Sequence, residues 1–364
     1  MYQLFKFFLP VCACLHLFCS DMENKVREHF FSPSIESLNI SDWYNPTTED
    51  YLLIQQYFRE KLTRLVESPI SSRPFPTDFL NTEFHGWLTY RMGRINLVQD
   101  GSEPPSFNVI HFNDNPNNKD KCIICYAGYP SRGGPRDYAQ GIRYLIKALK
   151  KVGFDGHFIY RIGGWPNIQK GRLKYVDVPF SFKPFLFEEV RDLGYKKILW
   201  LDSACLPIRN LDPVFQVIEK MGLCFYSYGD RFGGREFNKG YKYLMPFLNI
   251  SSDEEYVQVS SQYEQISSQI VGLDMTDARA SHLLDEWIKA AESRIPFLQS
   301  DEPAFMFLVN HLKLLHGRLP LSFYVETPCN TGNFAYWQSN ARAIIYHQYD
   351  FINPEYKVPE ELLN

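Results

Sequence analysis

Short apolar runs alternate with amphipathic segments through the middle of the chain. The apolar runs are typical of buried strands: CIICYA, GHFIYR, KKILWL and LCFYSY. The segments between them, DYAQGIRYLIKALKKVG, KPFLFEEVRDLG and LDPVFQVIEKMG, carry apolar residues at helical spacing and end at glycine. Strands and helices that alternate in this order predict an α/β fold with a mostly parallel sheet covered by helices.

Two stretches of the chain directly follow predicted strands. Residues 126–132 come at the end of the first apolar run, and residues 202–205 come after KKILWL. In sheets of this kind, ligands bind beyond the carboxyl ends of the strands. The pattern therefore places both stretches on one rim of the sheet.

The chain before residue 121 has a different pattern. Residues 1–20 form a short apolar leader that Pro10 interrupts, which predicts a cleaved signal peptide, a secretory or extracytoplasmic location and no stable transmembrane span. A buried N-terminal element is the alternative. Residues 21–120 read as an N-terminal extension with one helix over 47–67. The polar NDNPNNKDK marks a loop or a boundary, and a domain is predicted over 121–364.

Composition narrows the function classes. The 364 residues are 45% hydrophobic and 22% charged, which indicates a folded protein. A net charge of −4 lacks the polycationic signature of a nucleic-acid partner. Three of the eight cysteines lie in the leader, and the others are scattered and odd in number, so no disulfide framework is predicted. Cys122 and Cys125 lie within a predicted strand, which favours buried thiols over a redox pair.

Asp202 is the first residue with candidate chemistry. It ends the apolar run of LWLDSACLP, where a carboxylate suits a polar ligand at the sheet edge better than it suits the core. Aspartate also commonly caps a turn, and that alternative has equal weight when Asp202 is taken alone.

The order of the elements over residues 122–301 resembles that of the A-type-fold glycosyltransferases. The closest likeness is to the retaining glycogenin-like and galactosyltransferase group, through YAQG at 138–141, Lys183 before a helix, the strand ending at Asp202, and NLDPVF at 210–215. The resemblance implies a sheet like that of the nucleotide-diphospho-sugar transferases. It also implies a hexosyltransferase-like enzyme that moves a sugar from a nucleotide-sugar, most simply a UDP-sugar, to a hydroxyl of a glycan or protein acceptor.

The resemblance also implies a metal site, from which this chain departs. In that group an Asp-x-Asp pair holds a divalent cation, Mn²⁺ or Mg²⁺, at the donor diphosphate. Asp202 and Ser203 match the first two positions, but Ala204 replaces the second acid, so the motif is degenerate. By resemblance, His347 is the candidate for a further metal ligand. Three alternatives stay open: a site with fewer ligands, a metal-independent enzyme, and an inactive relative.

By the same resemblance, the residues around the first strand would bind the nucleotide-sugar. Lys183 would neutralise phosphate charge, although a solvated surface lysine is the alternative. Trp165 could stack on a sugar or pack in the core. The nucleotide-sugar-binding candidates are Tyr126, Ala127, Gly128, Tyr129, Arg132, Tyr138, Lys183, Ser203 and Ala204.

The catalytic candidates are Asp202, Gln269, Asp301 and Glu302. Gln269 would face the donor sugar, and QSDEPAF resembles the family's Asp-Gln before a helix, with Glu302 in place of glutamine. Both acids also suit a helix N-terminus. A rival function is non-catalytic: a degenerate transferase domain that binds a nucleotide, glycan or protein partner, for which Ala204 is the main support.

Overall fold

The computed structural model describes most of the second half of the chain and part of the first. The described residues are 35–67, 107–127, 137–178, 180–229, 244–245, 249–294, 301–319, 323–326, 342–347 and 349–352, with 358, 360 and 363. The predicted leader, residues 1–20, lies outside them.

Within the described residues the chain forms seven α-helices and ten strands. The helices are α1 (Thr48–Glu67), α2 (Tyr138–Lys151), α3 (Phe182–Asp192), α4 (Asp212–Met221), α5 (Asp253–Ser260), α6 (Ala278–Ser293) and α7 (Asp301–His311). The strands are β1 (Phe107–His111), β2 (Lys121–Ala127), β3 (His157–Ile162), β4 (Lys197–Leu201), β5 (Cys205–Pro207), β6 (Leu223–Gly229), β7 (Gln265–Asp274), β8 (Gly317–Arg318), β9 (Tyr324–Glu326) and β10 (Ile345–His347).

Seven strands form the main sheet, in the order β1-β3-β2-β4-β7-β6-β8. The pairs β3/β2, β2/β4 and β6/β8 are parallel, whereas β1/β3, β4/β7 and β7/β6 are antiparallel. Five strands therefore point one way, and only β1 and β7 oppose them. The predicted α/β fold with a mostly parallel, helix-covered sheet is confirmed.

A second, three-stranded sheet has the order β5-β10-β9. Strand β5 begins three residues after Asp202, and β10 pairs with it in antiparallel register, His347 opposite Cys205. This small sheet brings the C-terminal part of the chain to the turn that follows β4.

The sheet and its core begin before the predicted boundary at residue 121. Strand β1 pairs along β3, and helix α1 contributes Tyr51 and Ile54 to the same buried cluster as β2 and β4. Ile35 is also fully buried in that cluster. The described part of the N-terminal extension is thus packed into the α/β body.

The two faces of β2 bury the two cysteines of the C-x-x-C sequence separately. Cys122 lies in the cluster that includes α3 and α6, while Cys125 lies in the cluster that includes α2 and α4. Both thiols are free and buried. Because side chains three apart on a strand face opposite sides of the sheet, this pair cannot close a disulfide without rebuilding the strand.

Among the helices that the structure describes, none combines the length and apolar character needed to cross a bilayer.

Candidate active site

Asp202 lies at the carboxyl end of β4, on the rim of the sheet. Its backbone N–H donates to the carbonyl of Gln269 on β7 at 3.0 Å, and its own carbonyl accepts from the Cys205 N–H at 2.8 Å. The residue therefore begins a turn and also ends a central strand. Its side chain is 34% exposed, so the carboxylate is open to solvent at the rim.

Lys183 lies behind that carboxylate, in the first turn of α3, and its side chain is only 3% exposed. Its Nζ is 2.5 Å from Asp301 Oδ2 and 3.3 Å from Asp202 Oδ1. It also donates to the carbonyl of Ser268 at 2.8 Å. The ammonium group thus joins two acids from different elements to the backbone of β7.

Trp200 completes the surroundings of this ammonium group. The Lys183 Nζ lies 4.8 Å from the centre of the Trp200 ring, a distance typical of a cation–π contact. The indole Nε1 donates to Asp202 Oδ1 at 2.5 Å. Burial alone lowers the pKa of Lys183, but the carboxylates of Asp202 and Asp301 outweigh burial and raise it above its ordinary value. The lysine is therefore a permanent cation.

Glu302 follows Asp301 in the first turn of α7. Its Oε2 accepts from the hydroxyl of Ser267 at 3.1 Å, and that hydroxyl oxygen accepts from the Gln269 N–H at 3.2 Å. Burial raises the pKa of Glu302 to about 7, and the charge of Asp301 adds to the rise, while the Ser267 bond and Lys183 oppose it. Glu302 therefore exchanges a proton near neutral pH.

Ser203 and Ala204 are buried in the turn after Asp202, each 4% exposed. A Cβ atom at Gly141 of helix α2 would overlap the carbonyl oxygen of Ser203, so glycine is what lets α2 approach the turn. The YAQG sequence thus acts here through packing: its glycine holds the helix against the segment that carries Asp202.

The donor set around Asp202 does not fit a complete metal site. Oδ1 of Asp202 is bonded by Trp200 and faces Lys183, and the methyl group of Ala204 cannot bind a metal. His347 is buried and paired with Cys205 across β10 and β5. Within the described part of the chain, no three or more His, Cys, Asp or Glu side chains are grouped to hold a metal ion. The cation remains a prediction from resemblance.

The structure describes only some of the predicted nucleotide-binding residues. Tyr126 is 5% exposed, stacks on Phe182 with ring centres 4.3 Å apart, and donates its hydroxyl to the carbonyl of Gly164. Ala127 is buried at the end of β2, and the half-buried Tyr138 begins α2. The remaining predicted residues of the loop lie outside the described residues: Gly128, Tyr129 and Arg132.

Trp165 is 1% exposed, and its indole N–H donates to the carbonyl of Arg172 at 2.8 Å. Of the two roles open for it, core packing is the one that this environment supports.

Several residues of the site were not singled out from the sequence. Ser267 and Ser268 lie on β7, whose ten residues are all buried, and Trp200 precedes Asp202. Hydroxyl groups beside the apolar run IVGL were the available signal, since buried hydroxyl groups need hydrogen-bond partners.

No protein-family profile matches the chain, and no curated protein matches it. Solved structures similar to it include the bifunctional glycosyltransferase WbbM, at 13% identity and a TM-score of 0.40 over 65% of this chain. The chain spans about half of that structure's length, 47%. A second is the galactosyltransferase LgtC in complex with donor and acceptor sugar analogs, at 11% identity and a TM-score of 0.33, covering 62% of this chain and 86% of the other.

A third similar structure is mouse xyloside xylosyltransferase 1, at 13% identity and a TM-score of 0.30. The likeness covers 58% of this chain and 73% of the mouse protein. All three of these solved proteins are glycosyltransferases.

Proposed function

We propose that this protein is a glycosyltransferase that moves a sugar from a nucleotide-sugar to an acceptor hydroxyl. The observation that carries the proposal is the cluster at the carboxyl edge of the sheet, where Lys183 joins Asp202 to Asp301 and Glu302 lies beside them. The resemblance of residues 122–301 to the A-type-fold glycosyltransferases supports the same function.

The chemistry of the cluster suits a sugar. Ionised carboxylates accept hydrogen bonds from sugar hydroxyls, and a protonated Glu302 can also donate one. Asp202 is open to solvent while Lys183 is not, so an entering ligand meets the acid and not the ammonium group. Catalysis would rest on positioning the donor sugar against the acceptor hydroxyl and on stabilising the diphosphate that leaves.

The donor, the acceptor and the cation are part of the proposal. A UDP-sugar is the expected donor, and a glycan or a protein hydroxyl is the acceptor. The resemblance implies Mn²⁺ or Mg²⁺ as well, but the described donors around Asp202 do not form a complete metal site, so the assays below are run with and without each cation. The apolar leader at 1–20 supports a location along the secretory route or outside the cytoplasm. Expression in a eukaryotic host and N-terminal sequencing of the secreted protein would test whether the leader is cleaved.

A non-catalytic role is the second candidate, because Ala204 stands where the A-type-fold glycosyltransferases carry the second metal-binding acid of Asp-x-Asp. In that case the rim would bind a nucleotide, a glycan or a protein partner without turning it over. The intact acid cluster favours the enzyme, since binding alone does not require a buried lysine that holds two acids together.

Both candidates are tested with purified protein and a panel of nucleotide-sugars, with and without Mn²⁺ or Mg²⁺. An enzyme hydrolyses or transfers at least one donor and is thermally stabilised by it. Thermal stabilisation without release of nucleotide selects the binding role. Neither stabilisation nor hydrolysis under any condition rejects the transferase.

A further inference from the structure

We propose that Lys183 is a positioning residue: its ammonium group fixes Asp202 and Asp301 in place and does not contact the donor phosphates. The identity of the ligand in this proposal rests on the proposed function. The role of the lysine within the fold does not, because it follows from contacts between residues of this chain.

The hydrogen-bonding capacity of Lys183 is the first support. An ammonium group has three N–H donors. In this structure its Nζ lies 2.5 Å from Asp301 Oδ2, 2.8 Å from the carbonyl of Ser268 and 3.3 Å from Asp202 Oδ1. The Ser268 hydroxyl oxygen is a fourth acceptor, 3.3 Å from Nζ. Since the acceptors already outnumber the three donors, binding a phosphate oxygen would require one of these contacts to break.

Burial is the second support. The Lys183 side chain is 3% exposed, and the ring of Trp200 lies 4.8 Å from its Nζ. Asp202, by contrast, keeps 34% of its side-chain exposure. The ammonium group therefore lies on the protein side of the acid, where a ligand at the rim does not reach it.

The connectivity is the third support. Lys183 comes from α3, Asp202 from the end of β4, Ser268 from β7 and Asp301 from α7. A single cation thus joins four elements that are distant in sequence. Without it, the buried carboxylate of Asp301, whose side chain is 7% exposed, would lose its counter-ion and face the like charge of Asp202.

A stability cycle tests the positioning role without any ligand. The variants are K183M, D301N and K183M/D301N, with K196M as the control for an exposed lysine. We expect K183M to lower the Tm by at least several degrees and K196M to leave it unchanged. The double variant should lose less than the sum of the single variants, because removing Asp301 relieves the uncompensated charge.

Additive losses of Tm in this cycle would overturn the proposal. If K183M does not fold, we expect K183M/D301N to fold, since one acid leaves together with the cation. Failure of both proteins while D301N folds would also overturn it. K183R keeps the charge and should recover part of the loss seen in K183M.

A binding measurement tests the second half of the proposal. Calorimetric titration with UDP compares D301N with K183M/D301N, which differ only at Lys183. We expect dissociation constants within about threefold, whereas a lost charge-assisted bond to phosphate would weaken binding roughly tenfold or more. A weakening beyond threefold assigns the ammonium group to the phosphates and overturns the proposal. Absence of UDP binding to the unmodified protein counts against the proposed UDP-sugar donor, while the stability cycle still decides the role of Lys183.

Discussion

Asp202 both ends a strand and begins a turn. The sequence left a turn-capping aspartate and a ligand-facing acid as alternatives; the contacts show the turn, and the ligand-facing role stays a prediction. The backbone of Asp202 begins the turn to Cys205, while its exposed carboxylate accepts from Trp200 and faces Lys183. A strand end followed by a turn places the side chain on the rim, which is where a polar ligand can reach it.

Replacing Asp202 by asparagine tests that carboxylate. The amide side chain would keep the shape and an oxygen acceptor but lose the negative charge beside Lys183. We expect D202N to lower the rate of sugar transfer roughly a hundredfold or more, a loss comparable to that of other key polar groups in active sites. Initial rates with the donor found in the panel measure the effect.

The matched control is D285N, which changes an exposed aspartate on α6 that pairs with Arg191. Its transfer rate should equal that of the unmodified protein, and both variants should retain the same circular dichroism spectrum. Full activity in D202N would remove Asp202 from the site.

Glu302 makes stability depend on pH. Its pKa is about 7 in the folded protein against 4.5 for an ordinary glutamate. Between these values the folded protein binds a proton that the unfolded chain has released, so stability falls as pH rises through this window. The full shift corresponds to about 3 kcal/mol of free energy of unfolding. This contribution is present below pH 4.5 and is lost as the pH rises through about 7.

Glutamine in place of Glu302 removes this dependence and keeps the size of the side chain. We expect E302Q to gain stability relative to the unmodified protein as the pH rises from about 5 to about 8, by up to about 3 kcal/mol. Urea denaturation of both proteins at each pH gives the two free energies of unfolding. A difference that stays constant between those pH values would contradict the assignment.

At the scale of elements, the sequence predicted the parallel strands β2, β3, β4 and β6 and the helices α2, α3 and α4, because apolar runs and amphipathic segments alternate clearly. It did not predict the two-residue strand β8, which is parallel to β6. It also did not predict that β7 is antiparallel to β4 and β6. A strand buried on both faces has no alternating pattern, and its direction depends on pairing partners that are remote in sequence. The hydroxyls of Ser267 and Ser268 escaped notice for the same reason, since their roles depend on which elements β7 meets.

The close approach of helix α2 to the Asp202 turn is testable at Gly141. Alanine normally stabilises a helix by about 1 kcal/mol relative to glycine. Here we expect G141A to destabilise the protein by about 1–3 kcal/mol, because the new methyl group would overlap the Ser203 carbonyl and crowd Ile352. Chemical denaturation measures the change.

The control for G141A is K147A, on the exposed face of the same helix, which should change stability by no more than about 0.5 kcal/mol. A stabilised G141A protein would show that the helix and the turn are not in tight contact.

At the scale of the whole molecule, the division between extension and domain depends on packing more than on sequence pattern. The sequence predicts a loop or a domain boundary for the polar stretch before Lys121, and in the fold it is the loop between β1 and β2. Loops between strands of one sheet and linkers between domains share the same polar composition. The pairing of β1 with β3 and the burial of Ile35, Tyr51 and Ile54 in the common cluster show that the described extension belongs to the body.

Two neighbouring residues of α1 test this packing. Ile54 is fully buried, whereas Leu53 is 39% exposed. We expect I54A to lower the free energy of unfolding by about 2–4 kcal/mol and L53A by less than about 1 kcal/mol. Equal, small effects in both variants would mean that α1 does not dock on the body in solution.

The hydrogen bond from the Asp202 amide to the Gln269 carbonyl can also report on local dynamics. A backbone amide exchanges its hydrogen with solvent only when its bond opens, and the rate follows the free energy of that local opening. Because this bond connects Asp202 to strand β7, deuterium uptake at the Asp202 amide measures how often this edge of the sheet opens locally. A bound occupant would slow that uptake whatever its chemistry, so the amide can register ligands before the natural donor is identified.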